Sequence, residues 1–382
     1  MNIAFTENTH PGTLPPSDQL GFGSVFTDHM FLMDYSEDRG WHDARIVPYG
    51  PLTLSPASSV LHYGTEVFEG LKAYRRPDGR VQLFRPWENV ARLNRSCDRL
   101  GLPQLNPDDA LQAIRTLVTL DQRWVPTAPG TSLYIRPFLF SNDPKLGLHG
   151  VHDAMFVIIL SPVGSYFASG LKPVKIMVET EDVRAVRGGT GEAKCGGNYG
   201  AANRAGERAT AKGFSQVLWM DAIHHKYVEE GGGMNVMFKL GGKVVTPMLT
   251  GSILRGITRM SCLELMRSWG LPVEERLISI DELAEAAETK PSPKLAYMNT
   301  RALLSRCPGL DALVILCGCV PEVCRAIRDA KHHIHLEYFN FRNDSIANAL
   351  FDLLAEKVKE GVEVRAMFDA FGNWSNNKPL KK

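Results

Sequence analysis

Along residues 86–100, PWENVARLNRSCDRL, apolar side chains recur at helical spacing behind Pro86, and Gly101 follows. That pattern predicts a helix with a defined start and stop. A second helix is predicted over 107–124 with Asn106 as its cap, and others over 199–212 and 257–269. Aromatic and branched runs predict strands at 22–35 (FGSVFTDHMFLMDY), 131–140 (TSLYIRPFLF) and 154–163 (AMFVIILSPV). Shorter strands follow at 175–179, 216–220, 235–240 and 243–247, with Gly241–Gly242 between the last two as a hairpin signal. Residues 1–20, polar and proline-rich, read as an extended arm. The stretch GSYFASGL (164–171) reads as a linker between a small first domain and a larger second one.

Composition narrows the classes. A chain of 382 residues can bury two cores, and 44% hydrophobic with 22% charged residues is ordinary for a soluble globular protein. A net charge of +1 excludes a charge-driven attraction to nucleic acid or lipid. The N-terminal residues lack a signal-peptide pattern, and the apolar run at 310–320 is too short to span a bilayer. Seven cysteines without a regular framework fit reduced thiols in a cytoplasm. The spacing of Cys317, Cys319 and Cys324 has no recognisable fourth ligand, so no metal is expected.

The segment GGTGEAKCGGNYG (188–200) carries the chemistry. Two glycine pairs flank one lysine, Lys194. Burial would lower its pKa, and glycine backbone would let a planar carbonyl cofactor approach. On spacing alone, a solvated loop lysine is the favoured reading. Pyridoxal phosphate chemistry needs such a lysine, an acid for the pyridine nitrogen and donors for the phosphate. Glu230, ahead of three glycines in VEEGGGMNV, is a candidate acid. Ile257 and Thr258, after Gly256 at a helix start, lie where backbone N–H groups favour a phosphate.

Longer stretches settle between these readings. SVFTDHMFLMDY (24–35), TLSPASSVLHYGTEVFEGLKAY (53–74), LFRPWENVARLNRS (83–96), GTSLYIRPFLF (130–140), GGTGEAKCGGNYG, EEGGGMNV (229–236), LTGSILRGITR (249–259) and PVEERLISIDEL (272–283) resemble, in order, the branched-chain amino acid aminotransferases of class IV. The resemblance implies an α+β chain of fold type IV. A small α/β domain (1–165) would precede a larger pseudo-barrel domain (172–288). It implies pyridoxal 5′-phosphate, transfer of an amino group from leucine, isoleucine or valine to 2-oxoglutarate, and a homodimer. Carried over position by position, Lys194 resembles the Schiff-base lysine and proton shuttle. Glu230 resembles the partner of the pyridine nitrogen, Arg92 with the backbone of Ile257 and Thr258 the phosphate site, and Tyr199 the tyrosine near the ring hydroxyl. Phe26, Tyr63, Tyr134 and Arg136 match the substrate pocket. The LHYG, FRPW and LYIRP stretches argue against D-amino-acid aminotransferase and aminodeoxychorismate lyase.

Past residue 288 the pattern changes. The family's closing glycine–threonine–alanine turn has no counterpart, so the barrel is expected to be truncated there, and 289–331 is an unassigned junction. Arg255 stands where the family usually has proline. Residues 327–382 are similar to the beginning of the catalytic region of bacterial cardiolipin synthases, in the phospholipase D superfamily. Their own pattern predicts a βαβ fragment over 332–382: Ile334, Leu336 and Tyr338 alternate, a helix follows Asp344, and Val362, Val364, Ala366 and Phe368 alternate again. That superfamily's H-x-K-x-x-x-x-D motif is absent, so His332, His333 and His335 read as structural. Two alternatives accompany transamination: a non-catalytic chimeric or truncated product, and a lipid-headgroup transferase.

Overall fold

The computed structural model describes residues 1–164, 174–289, 295–297, 312–314, 333–338, 355–361 and 363–368. The expected linker at 164–171, beyond Gly164, and most of the 289–331 junction lie outside them. The chain divides into two compact units, residues 1–225 with 249–257, and residues 226–248 with 258–382.

The first unit opens with β1 (Ala4–Phe5), β2 (His29–Ser36) and β3 (Gly40–Pro48), then α1 (Ser59–Tyr63). Next come β4 (Glu66–Phe68), β5 (Leu71–Arg75), β6 (Val81–Leu83), α2 (Pro86–Leu100) and α3 (Pro107–Leu120). It continues through β7 (Ser132–Ser141), β8 (Asp153–Val163), β9 (Ile176–Val178), α4 (Gly196–Ala211) and β10 (Gln216–Met220). Eight strands form one sheet in the order β1-β3-β2-β8-β7-β5-β6, with β4 also on β7. The arm expected at residues 1–20 is tied down by β1, which pairs in parallel with β3.

Period two in β7 divides the sheet's faces. Leu133, Ile135 and Leu139 enter a core with Leu93, Cys97, Ile114 and Leu117 of α2 and α3 and with Phe31 and Phe156. The alternate residues Tyr134, Arg136 and Phe138 lie on the other face. Burial pushes the Cys97 thiol up to about 12, so it packs there as a neutral group.

The helix signals hold at both ends of α2. Pro86 occupies its first turn, and Gly101 ends it at φ 66°. The Asn106 side chain accepts hydrogen bonds from the N–H groups of Asp108 and Asp109 and so caps α3. That helix is shorter than expected; Gln122–Trp124 form a separate 3-10 turn after Asp121. An unusual feature of α2 is a second buried stripe. Asn89, Arg92 and Ser96 are buried beside the apolar Val90, Leu93 and Cys97.

The second unit holds β11 (Val228–Gly231), β12 (Met234–Leu240), β13 (Lys243–Pro247), α5 (Ile257–Ser268, entered from the first unit), β14 (Val273–Arg276), α6 (Ile280–Thr289) and β15 (Leu295–Tyr297). The β12–β13 hairpin closes with Leu240 opposite Lys243. Its two turn residues, Gly241 and Gly242, have φ of 57° and 85°, which glycine adopts without a Cβ penalty. β15 pairs antiparallel with β12, so the sheet gains a strand inside the junction, where the sequence pattern indicated none.

Last come β16 (Ala312–Val314), β17 (His333–Tyr338) and β18 (Glu363–Phe368). β17 and β18 pair in parallel with Ile334 opposite Val364, the pairing a βαβ fragment requires. Of the helix expected between them, only 355–359 is described. Among the described residues no helix is long and apolar enough to cross a membrane.

Leu139 is fully buried. Leu139→Ala should therefore lower the free energy of unfolding of the first unit by about 2–5 kcal/mol, read by chemical denaturation. A loss under about 0.5 kcal/mol, the surface-site range, would contradict this account of the core.

Candidate active site

Two strands and two helices of the first unit converge on Lys194. The lysine precedes α4, and its neighbour Cys195 bridges to Val67 of β4. Its backbone is fixed on both sides. Its N–H donates to Ser96 Oγ at 3.0 Å, and its carbonyl accepts from the Phe68 N–H at 2.9 Å. The side chain is half-buried. Nζ donates to Tyr199 Oη at 2.8 Å and lies 4.8 Å from the centre of the Phe68 ring. Burial is the main cause that pulls the amine's pKa below 10.5; the Arg92 charge pulls the same way, and Glu69 opposes both. Such an amine sheds its proton more readily than a solvated lysine.

Arg92 is held by a residue absent from the sequence-derived candidates. Glu69, only 1% exposed, accepts from Arg92 Nε at 2.7 Å and from Arg92 Nη2 at 2.9 Å. Asn89 Nδ2 donates to the same carboxylate at 2.8 Å. Burial would raise the Glu69 carboxyl, but the Arg92 guanidinium holds it below 4.5. The Arg92 Nη1 group donates to the Arg255 carbonyl at 3.3 Å. Burial, then the like charges of Arg255 and Arg92, lowers the pKa of Arg95. Three guanidinium groups therefore share one region, which suits an anion.

On the site face of β7, Arg136 Nη2 donates to Tyr134 Oη at 3.0 Å. The Arg136 guanidinium lies 4.7 Å from the Phe68 ring centre, so one ring lies against both Arg136 and Lys194. Arg136 Nε is buried with no hydrogen-bond partner among the described residues.

The structure thus brings together Lys194, Tyr199, Arg92, Tyr134 and Arg136. Phe26 stacks on Tyr49 with ring centres 4.7 Å apart, and Tyr63 Oη accepts from the Gly147 N–H at 2.9 Å. Glu230 and Thr258 belong to the second unit. There Glu230 is buried and accepts from Asn235 Nδ2, its cross-strand partner, at 2.9 Å. Ile257 is buried and, with Thr258, opens α5.

Glu69 and Phe68 were missed because FEG reads as the end of a short strand; a glutamate beside a glycine carries no mark of burial. Two glycines near Lys194 are required by close protein contacts. A Cβ on Gly196 would meet Glu66 Oε1 at 2.2 Å, and one on Gly191 the Ser252 carbonyl oxygen at 2.3 Å. These two glycines make room for the Glu66 carboxylate and the Ser252 carbonyl.

The family model described as Amino-transferase class IV matches residues 66–289, and the chain belongs to that family. Its similarity narrows further. It is 57% identical over 272 residues to Branched-chain-amino-acid aminotransferase 2 of Bacillus subtilis (strain 168), covering 71% of this chain and 75% of that protein. The branched-chain amino acid aminotransferase of Escherichia coli superposes with a TM-score of 0.59 at 26% identity, covering 72% of this chain and 84% of that one. A second solved branched-chain amino acid aminotransferase, from T.th. and in complex with N-(5′-phosphopyridoxyl)-L-glutamate, gives 0.56 at 26% identity, over 70% and 82% of the two chains. Class IV aminotransferases use pyridoxal phosphate, and the fold type IV expected from the sequence is the fold of these neighbours.

A Cβ at Gly70 would lie 2.1 Å from Tyr134 Oη and 2.9 Å from its Cζ. Gly70→Ala should displace the Tyr134 ring and cost about 1–3 kcal/mol of stability. The cost should shrink in a Tyr134→Phe background, where the closer of these two atoms is gone. A double-mutant cycle with no coupling between the two positions would contradict the contact.

Proposed function

We propose that this chain transfers the amino group of leucine, isoleucine or valine to 2-oxoglutarate with pyridoxal 5′-phosphate, and that Lys194 is the residue that holds the cofactor and moves the proton. The observation that carries this is the Lys194 amine itself: half-buried, its pKa pulled down by burial and Arg92, and hydrogen-bonded to Tyr199. The donor set fits the cofactor's groups. A readily deprotonated amine suits an aldehyde, the Tyr199 hydroxyl a phenolic oxygen, and the arginine cluster a phosphate.

When bound, pyridoxal phosphate supplies the carbonyl that takes up the amino group and a ring that withdraws electrons. The protein's own residues do the rest. Lys194 takes the proton from the substrate Cα and returns it on the other side of the exchange. Arg92, with the backbone of Ile257 and Thr258, holds the phosphate, and Tyr199 orients the ring through its hydroxyl. Glu230 keeps the pyridine nitrogen protonated; its burial and its bond to Asn235 fit a carboxylate held in one orientation. Tyr134 and Arg136 receive the substrate, with Phe26 and Tyr63 at the pocket's apolar side. Arg136 Nε, without a hydrogen-bond partner among the described residues, supports this, since it leaves a buried donor for a carboxylate.

The relatives support transamination over the two alternatives, a non-catalytic product and a lipid-headgroup transferase. The resemblance of residues 327–382 to cardiolipin synthases is kept as a likeness in sequence; without the histidine–lysine–aspartate motif we assign it no reaction. A homodimer in the cytoplasm completes the reading, supported by the family resemblance.

Borohydride reduction of the cofactor-loaded chain followed by peptide mapping should place the pyridoxyl group on Lys194, and Lys194→Ala should abolish turnover of leucine with 2-oxoglutarate. A label on another lysine would overturn the assignment. Glu230→Gln should keep the cofactor but slow turnover by several orders of magnitude, roughly the loss of a charge-assisted hydrogen bond worth about 1.5–3 kcal/mol together with ring protonation. Unchanged turnover would remove Glu230 from this role.

A further inference from the structure

Arg92 has three nitrogens, and two of them are committed to one carboxylate. Glu69 accepts from Nε at 2.7 Å and from Nη2 at 2.9 Å. This leaves Nη1, whose contact with the Arg255 carbonyl at 3.3 Å is the longest of the three. Glu69 is itself held in place by the Gly70 N–H at 3.1 Å and by Asn89 Nδ2 at 2.8 Å. Asn89 stands one turn before Arg92 on the same face of α2, so the helix grips the carboxylate at two points. A forked, planar guanidinium bound through two nitrogens cannot turn about its axis.

We infer that Glu69 is a positioning residue of the cofactor site: it fixes which edge of Arg92 meets the phosphate, and it is the buried negative charge that the Lys194 amine feels. The inference rests on the proposed roles of Lys194 and Arg92. An alternative explanation, that the pair is only a packing device, makes no statement about Lys194. The charged and titratable groups that act on that amine are Arg92, Glu69, Tyr134 and Arg136, with Tyr199 in direct hydrogen bond. Among these, Glu69 is the carboxylate, and it counters the effects of burial and Arg92. Removing its charge takes away the larger of the two effects that oppose Arg92 and Arg136, so the amine should lose its proton at lower pH.

The test compares the full wild-type chain with Glu69→Gln, both freed of cofactor. The rate at which an amine-selective acylating reagent modifies Lys194 is followed against pH by peptide mapping, and affinities for pyridoxal phosphate and for inorganic phosphate are measured. The midpoint for Lys194 should fall by about one pH unit in Glu69→Gln, the lower end of what a nearby opposite charge produces. Pyridoxal phosphate affinity should fall about tenfold or more, as expected when a charge-assisted hydrogen bond is misaligned. Glu69→Asp should restore the midpoint in part. A folded Glu69→Gln chain with an unmoved or raised midpoint would overturn the inference. Should Glu69→Gln fail to fold, Asn89→Ala removes one grip and keeps the charge. Lower phosphate affinity with the Lys194 midpoint in place supports the inference, and unchanged affinity overturns it. A wild-type chain that never carries cofactor on Lys194 would instead defeat the proposed function, because the acylation measurement requires no cofactor.

Discussion

The buried pair of Glu69 and Arg92 is the constraint around which the first unit is arranged. Two charges removed from water cost several kcal/mol each, and only close geometry with every lone pair occupied returns it. The fold meets that demand with four donors to one carboxylate. Glu69 can reach them because it stands between β4 and β5, where the chain leaves one pairing with β7 and begins another. The same short strand, β4, passes beside Lys194 and Cys195. One ion pair thus fixes the docking of α2 and the strand that locates the lysine.

Helix α2 shows how a single element serves two environments. Its apolar stripe of Val90, Leu93 and Cys97 is ordinary core. Its polar stripe of Asn89, Arg92 and Ser96 is equally buried, and each member has a partner in the site: Glu69 for the first two, the Lys194 N–H for the third. Burial of polar groups without partners would be costly. The sheet repeats the division, with Leu133, Ile135 and Leu139 on the core side of β7 and Tyr134 and Arg136 on the other.

Much of this was legible in the sequence, for reasons that are local. Pro86 and Gly101 bound α2, Asn106 caps α3, and Gly241–Gly242 close a hairpin, because each acts on backbone within a few residues of itself. β3 was not legible: a register shift between Leu32 and Asp34 breaks the pairing, and Asp43 has φ 53°, so the alternation in GWHDARIVP is interrupted. The site residues Lys194, Arg92, Tyr199, Tyr134 and Arg136 were reached through resemblance rather than pattern. Glu69 was within a quoted stretch, EVFEGLKAY, and still passed over. Its burial depends on α2 folding across it, which no local spacing encodes. The polar stripe of α2 is hidden for the same reason, since in sequence it cannot be told from a solvated face.

Lys194 is pinned through its N–H to Ser96 and through its carbonyl to Phe68, while its side chain carries the reactive amine. The backbone therefore behaves as a fixed pivot and the four methylenes as a boom. The sweep of the amine is then bounded by rotamer wells rather than by loop motion, so it relocates on the picosecond-to-nanosecond scale of side-chain torsions. In the role proposed for Lys194, a proton would be carried between two neighbouring atoms without any element of the fold shifting, over a distance set by the length of the side chain.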